Sequence, residues 1–184
     1  MGSNAGIYNG LAFRLCYNSC MENLWAPWRM AFIAPKTPHS PGCIFCTQPA
    51  EHRDVENHIL YRGAHCFMML NLYPYNNGHL MIAPYQHVET IEKLDAETLA
   101  ELMAQAQLAL RTLRLVMDPH GFNMGINEGK VAGAGFDEHM HFHIVPRWQG
   151  DTNFMPVIAD IKVIPEHLDV VYAKLKEAIE HLNQ

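Results

Sequence analysis

Residues 139–147 read H-M-H-F-H-I-V-P-R. In an extended strand successive side chains point to opposite faces, so His139, His141 and His143 share one side while Met140, Phe142 and Ile144 share the other. Buried histidines usually occur singly, and three in register opposite an apolar stripe are hard to obtain from packing alone. Two chemistries compete for this face. Three imidazoles can bind a catalytic metal, as in zinc sites with three His ligands, which would make a metal-dependent hydrolase. Alternatively, one imidazole is a nucleophile tuned by the others. A neutral imidazole, with an unperturbed pKa of ~6.5, is nucleophilic at pH 7 and leaves readily once protonated, properties that suit transfer at phosphorus.

A second constellation is Cys43-x-x-Cys46, in C-I-F-C. Such a pair supplies half of a tetrahedral zinc site, whereas a redox role needs a thioredoxin-like context that the surrounding pattern lacks. His87, in A-P-Y-Q-H-V, and His139 are the candidate partners. A third feature is the run E-G-K-V-A-G-A-G. Gly129, Gly133 and Gly135 allow positive φ, so the loop either exposes backbone N–H groups to a polyphosphate or simply turns. Lys130 and Arg147 are available to neutralise phosphate charge or to stay solvated, and Arg147 alternatively braces the site. Trp25, Trp28 and Trp148 read as packing or interface residues.

These residues need a scaffold. HILYR (58–62), CFMMLN (66–71), HLMIAP (79–84), GFNMGIN (121–127) and HMHFHIVP (139–146) read as antiparallel strands, with Asn77-Gly78 offering turn chemistry. Between Asp95 and Val116, Leu99, Leu102, Met103, Ala106 and Leu110 recur at helical spacing, and Asp118-Pro119 stops the run. Pro165 opens a last helix through about His181. The fold class is α+β: about five strands in a mainly antiparallel sheet, one long helix packed on it, and a C-terminal helix.

With 184 residues the chain suffices for a single domain with a sizeable core, and 49% hydrophobic against 17% charged residues excludes a disordered chain. Its net charge of −6 argues against a nucleic-acid backbone as partner, so any bound phosphate must be managed locally. No apolar run is long enough for a membrane span. The odd count of 5 cysteines favours free or metal-bound thiols in a reducing cytoplasm. Residues 1–23 read as an N-terminal extension, in which MGSNA resembles a vector-derived remnant and Met21 a natural start. Residues 24–184 read as one domain whose N-terminal segment binds zinc.

The motif His139-Met-His141-Phe-His143-Ile-Val145 resembles the signature of the histidine-triad (HIT) superfamily, three histidines alternating with apolar residues. The resemblance extends through N-x-Y-P-Y-N-N-G-H-L (71–80), G-x-N-x-G-x-N (121–127), A-G-x-G (132–135) and P-R-W-Q-G-D-T-N-F (146–154). Together with L-W-A-P-W-R and C-I-F-C, it points to the bacterial branch similar to diadenosine tetraphosphate phosphorylases. It implies the HIT fold and a covalent nucleotidyl-histidine intermediate on His141, resolved by phosphate or water. It also implies that His143 contacts the phosphate or bridging oxygen and that His79 supports the histidine network. Zinc-containing members, and the related galactose-1-phosphate uridylyltransferases, imply one structural zinc per chain on Cys43, Cys46, His87 and His139. Asn127 matches a phosphate-contacting amide and Asn71 one near the ribose. Ala134-Gly135 stands where many relatives carry a polar residue after A-G. A homodimer is implied as well. The rival readings are a nucleoside phosphoramidase or general nucleotide hydrolase, the metal-dependent hydrolase above, and a nucleotide-binding regulator without turnover.

Overall fold

The computed structural model describes residues 42–151 and 164–183. The N-terminal extension, the L-W-A-P-W-R opening with Trp25 and Trp28, Cys16, Cys20 and the end of the P-R-W-Q-G-D-T-N-F motif lie outside the described residues. The elements are α1 (Ile44–Ala50), β1 (Ile59–Arg62), β2 (Cys66–Leu70), β3 (Leu80–Pro84), α2 (Ala96–Met117), β4 (Gly121–Ile126), β5 (Phe142–Arg147) and α3 (Leu168–Leu182). The five strands form one antiparallel sheet in the order β1-β2-β3-β5-β4. Among the described residues no helix is long and apolar enough to cross a membrane.

The centre of the sheet, β2 and β3, is buried on both faces. Every residue of β2 is sealed from solvent, so C-F-M-M-L reads as continuously apolar rather than alternating. Cys66, Met68 and Leu70, with Leu80, Ile82 and Ile144, build the main core against α2 and α3. Phe67, Met69, Met81 and Ala83 point the other way and pack against Phe45 of α1. That second layer carries the histidines, since Met81 is the register partner of His143.

Several boundaries differ from the sequence reading, each for a local reason. β1 begins at Ile59 because His58 adopts φ +53, outside the extended region. β5 begins at Phe142; residues 139–141 are irregular and tied instead through Met140 N–H to Val88 O at 2.7 Å. α3 starts after His167, whose ring Nδ1 accepts from Asp169 N–H, rather than at Pro165. The buried stripe of α2 runs Thr98, Leu102, Gln105, Ala106, Ala109, Leu113, which leaves Met103 48% exposed although its spacing suggested a core position. α1 itself was not foreseen, and its seven residues include Pro49.

The long helix is pinned by charge as well as by apolar packing. Glu101 on α2 reaches the β1–β2 turn, where its carboxylate accepts from the N–H groups of Ala64, His65 and Cys66 at 2.9–3.2 Å. Gln105 Nε2, one turn on, donates to Cys66 O and to Glu101 Oε1. This close approach requires Gly63, because a Cβ there would lie 2.0 Å from Glu101 Oε1. Charge-assisted bonds of this kind contribute about 1.5–3 kcal/mol each, and three backbone donors lose a partner together. Glu101→Ala should therefore cost at least about 2 kcal/mol and lower Tm by roughly 4–8 °C in a domain of this size. Gly63→Ala should do the same by displacing the carboxylate. Thermal unfolding checks both, and a shift below 1 °C for Glu101→Ala would remove this contact from the account.

Candidate functional site

The sequence and fold bring five histidines, His79, His87, His139, His141 and His143, and two cysteines to one end of the β3–β5 layer. His79 and His139 are fully enclosed, and His141 and His143 are nearly so. Each ring makes contacts that decide which nitrogen carries the proton.

His139 Nε2 lies 2.9 Å from Pro84 O, a carbonyl that can only accept, so Nε2 bears the hydrogen and Nδ1 the lone pair. That lone pair faces Cys43 Sγ at 3.3 Å, Cys46 Sγ at 3.6 Å and His87 Nδ1 at 3.2 Å, while Cys46 Sγ lies 3.4 Å from His87 Nδ1. These four side chains could hold a metal ion, their ligand atoms all lying within 4.8 Å of one another. Burial pushes the Cys43 thiol up to about 11 and the His139 imidazole down to about 4. The pocket thus favours neutral groups in the absence of a cation, which reverses once a cation stabilises thiolate. Among the described residues this is the single group of convergent ligands, and the three histidines of the motif do not share one focus.

His141 has the opposite tautomer. Its Nδ1 lies 2.9 Å from His139 O, so Nδ1–H donates and Nε2 keeps the lone pair. Burial lowers its pKa and keeps the ring neutral. Phe45 stacks on it with centroids 4.7 Å apart and planes at 26°.

His79 and His143 form a relay. Tyr75 N–H donates to His79 Nδ1 at 3.1 Å, and Asn71 Nδ2 approaches the same atom at 3.3 Å. His79 Nε2–H must then donate to His143 Nδ1, 3.0 Å away, which leaves the proton of His143 on Nε2. Tyr75 stacks on His79 at 4.7 Å. His141 therefore offers an electron pair and His143, 4.7 Å away ring to ring, offers a hydrogen.

Both rings open on a solvent-connected cleft. Ile44, Phe45, Met69, Leu72 and Phe136 make it predominantly apolar, with Asn71 and Gln48 as polar exceptions. The remaining expected contacts divide. Asn71 and Gly135 line the cleft, whereas Asn127, half-buried just beyond β4, Lys130 and Gly133 do not. Lys130 lies 3.7 Å from Asp137. In the glycine loop, Ala132, Gly133 and Ala134 spend their N–H groups on Gly129 O and Lys130 O, so these amides serve the turn. Arg147 is held by Asp151 at 2.6 and 2.9 Å and by Asn123 Oδ1 at 2.7 Å, while Asp151 also accepts from Asn76 Nδ2 at 2.9 Å. In this arrangement Arg147 braces the turn after β5. The sequence reading missed Phe45, Tyr75 and Gln48. Their positions inside C-I-F-C, inside Y-P-Y-N-N-G and just after the second cysteine were the available signals.

Comparison with known proteins agrees with this geometry. The profile of the HIT domain matches residues 52–150. An AP-4-A phosphorylase from Mycobacterium tuberculosis is 44% identical over 155 residues, covering 80% of this chain and 79% of that protein. Among solved structures, a hypothetical histidine triad nucleotide-binding protein from Sulfolobus tokodaii superposes with a TM-score of 0.63 at 28% identity, over 77% of this chain and 94% of its own. A Zn-bound histidine triad family protein from Mycobacterium smegmatis shares the fold with a TM-score of 0.62 at 24% identity, over 77% and 96% of the two chains. With its triad of alternating histidines on a five-stranded antiparallel sheet and its long match to these relatives, the chain belongs to the HIT family.

Proposed function

We propose that the protein is a nucleotidyl transferase acting on the α-phosphate of dinucleoside polyphosphates of the diadenosine tetraphosphate kind. The observation that carries this reading is the tautomer of His141: with Nδ1–H locked onto His139 O, Nε2 is the lone-pair nitrogen on the wall of the apolar cleft. The 44% identity to an AP-4-A phosphorylase supports the substrate class.

The apolar cleft takes a nucleoside and places its α-phosphate over His141. Nε2 attacks phosphorus, an N–P bond forms, and the bridging P–O bond breaks with its electron pair leaving on the polyphosphate. His143 Nε2–H donates to that oxygen or to the non-bridging oxygens and stabilises the charge that develops there. In the second half, a phosphate or water oxygen attacks the nucleotidyl-His141, its proton passes to the histidine network, and the N–P bond breaks. Phosphate yields nucleoside diphosphate, and water yields nucleoside monophosphate.

Incubation with diadenosine tetraphosphate, with and without inorganic phosphate, tests the scheme by product mass. ADP formed only with phosphate is the expected phosphorolytic outcome, and AMP in both conditions indicates hydrolysis. His141→Ala should reduce turnover by roughly 10³-fold or more while leaving nucleotide binding measurable. Full turnover by His141→Ala would sink covalent catalysis at this residue.

The ligand set Cys43, Cys46, His87 and His139 fits zinc. Tetrahedral zinc with Zn–S near 2.3 Å and Zn–N near 2.0–2.1 Å separates its ligands by about 3.3–3.8 Å, and four of the six separations among these atoms, at 3.2–3.6 Å, lie close to that spacing. Cys43, Cys46, His87 and His139 would close the coordination sphere of such an ion, which would then cross-link α1 to the approach to β5 rather than serve as a Lewis acid. We expect about one zinc per chain by elemental analysis, lost in Cys43→Ser/Cys46→Ser with a clear fall in Tm. Protein that is fully folded and metal-free, and unaffected by that double substitution, would contradict the assignment.

A homodimer belongs to the same reading. β4 is a sheet edge of composition G-F-N-M-G-I with no charge or proline to block pairing, and its Met124 is 51% exposed. Light scattering should give twice the chain mass, and Met124→Lys should shift it toward monomer.

A further inference from the structure

His79 and His143 stand on neighbouring parts of the sheet, His79 just before β3 and His143 within β5. The hydrogen between them belongs to His79 Nε2 only while His79 Nδ1 is kept as an acceptor. In the alternative arrangement His79 carries its hydrogen on Nδ1, His143 donates from Nδ1 to His79 Nε2, and His143 Nε2 presents a lone pair. The exchange moves no net charge, so what chooses between the two is the set of donors at His79 Nδ1.

Those donors depend on the loop 72–78 between β2 and β3. Tyr75 N–H points at His79 Nδ1 from 3.1 Å. Tyr73 N–H holds Asn71 Oδ1 at 2.8 Å, which turns Asn71 Nδ2 toward the same ring nitrogen, 3.3 Å away. The loop closes with His79 N–H on Asn76 O at 3.2 Å, a turn that passes through Gly78 at φ +71. Its middle is fastened by Asn76, whose Nδ2 donates to Pro146 O at 3.0 Å and to Asp151 Oδ2 at 2.9 Å. A carbonyl and a carboxylate only accept, so the amide nitrogen must face them. Pro146 lies on β5 three positions beyond His143, and Asp151 is held in turn by Arg147 and by Trp148 N–H at 3.2 Å. Asn76 is 7% exposed, so bonds lost there are not replaced readily by water.

We propose that Asn76, anchored by Asp151, is a positioning residue that fixes the direction of the His79–His143 relay. It ties the loop that places the proton on His79 to the strand that carries His143. With the tie intact, His143 keeps a hydrogen on Nε2 for the oxygen that gains charge during transfer; with the tie cut, part of the population presents a lone pair to that oxygen instead. The catalytic part of this inference rests on the nucleotidyl-transfer reading above.

The test compares wild type, Asn76→Ala, Asp151→Asn and Glu101→Ala, each confirmed folded by thermal melting. Asp151→Asn keeps the shape of the carboxylate and carries the test where Asn76→Ala does not fold. Glu101→Ala is the control, since it destabilises the domain at the opposite end of β2 from the relay. Long-range ¹H–¹⁵N spectra of the histidine rings should show wild-type His143 protonated on Nε2 alone. In Asn76→Ala, and to a smaller extent in Asp151→Asn, its two nitrogen shifts should converge. On diadenosine tetraphosphate, kcat of Asn76→Ala should fall roughly 10-fold to 100-fold while KM stays within about 3-fold. Glu101→Ala should leave the His143 spectrum and kcat as in wild type, although it melts earlier. A wild type without turnover overturns the nucleotidyl-transfer reading alone, and the spectra then decide Asn76. Wild-type His143 spectra in both relay variants, or an unchanged kcat in Asn76→Ala, overturn the inference.

Discussion

Two backbone carbonyls organise this site. Pro84 O takes the Nε2 hydrogen of His139 and His139 O takes the Nδ1 hydrogen of His141, so two histidines two residues apart present opposite nitrogens. The first turns its lone pair toward two cysteines and His87; the second turns its lone pair toward the cleft. One short segment can therefore belong to a metal cluster and to a nucleophilic centre without either chemistry competing for the same atom. The His79–His143 pair adds the complementary state, a hydrogen where His141 has a lone pair, and the backbone N–H of Tyr75 sets its direction.

Preorganisation of this kind depends on rigid surroundings. Both faces of β2 and β3 are buried, which leaves β3 and its neighbour β5 little room to shift, and α2 is fastened to the β1–β2 turn by the Glu101 carboxylate. On the histidine side, among the described residues, the seven-residue α1 packs against this layer. α1 is too short to be stable alone; it is kept by Phe45 in the core, by Arg62 and Asn57 at its carbonyl end, and by the cysteine cluster at its start. The same helix supplies the ring on His141 and one wall of the cleft, so the cluster and the binding surface are mechanically continuous.

Much of this was legible in the sequence. The alternation of His139, His141 and His143 with apolar residues placed them together, and Met140 and Ile144 do enter the main core. The five strands and the two longer helices follow from pattern and punctuation. The phase of α2 was less legible, because its buried stripe includes Thr98, Gln105 and Thr112. These polar residues earn burial through specific bonds, Gln105 to the Cys66 carbonyl and Thr112 to Leu108 O. The glycine loop misled in a similar way. Its composition permits a phosphate cradle, but three of its amides close the turn on itself.

What the sequence by itself determined is the inventory: which residue types are present, their periodicity, and the ligand-like spacing of Cys43 and Cys46. What only the tertiary structure decided is what each of those groups can do. The proton on His139 is placed by a carbonyl 55 residues away, that on His143 by a ring 64 residues away, and the stacking partner of His141 arrives from a helix that no local pattern announced. A histidine has two nitrogens of nearly equal intrinsic basicity. Which of them bears the proton is a property of the acceptor it meets, and that acceptor is supplied by the fold.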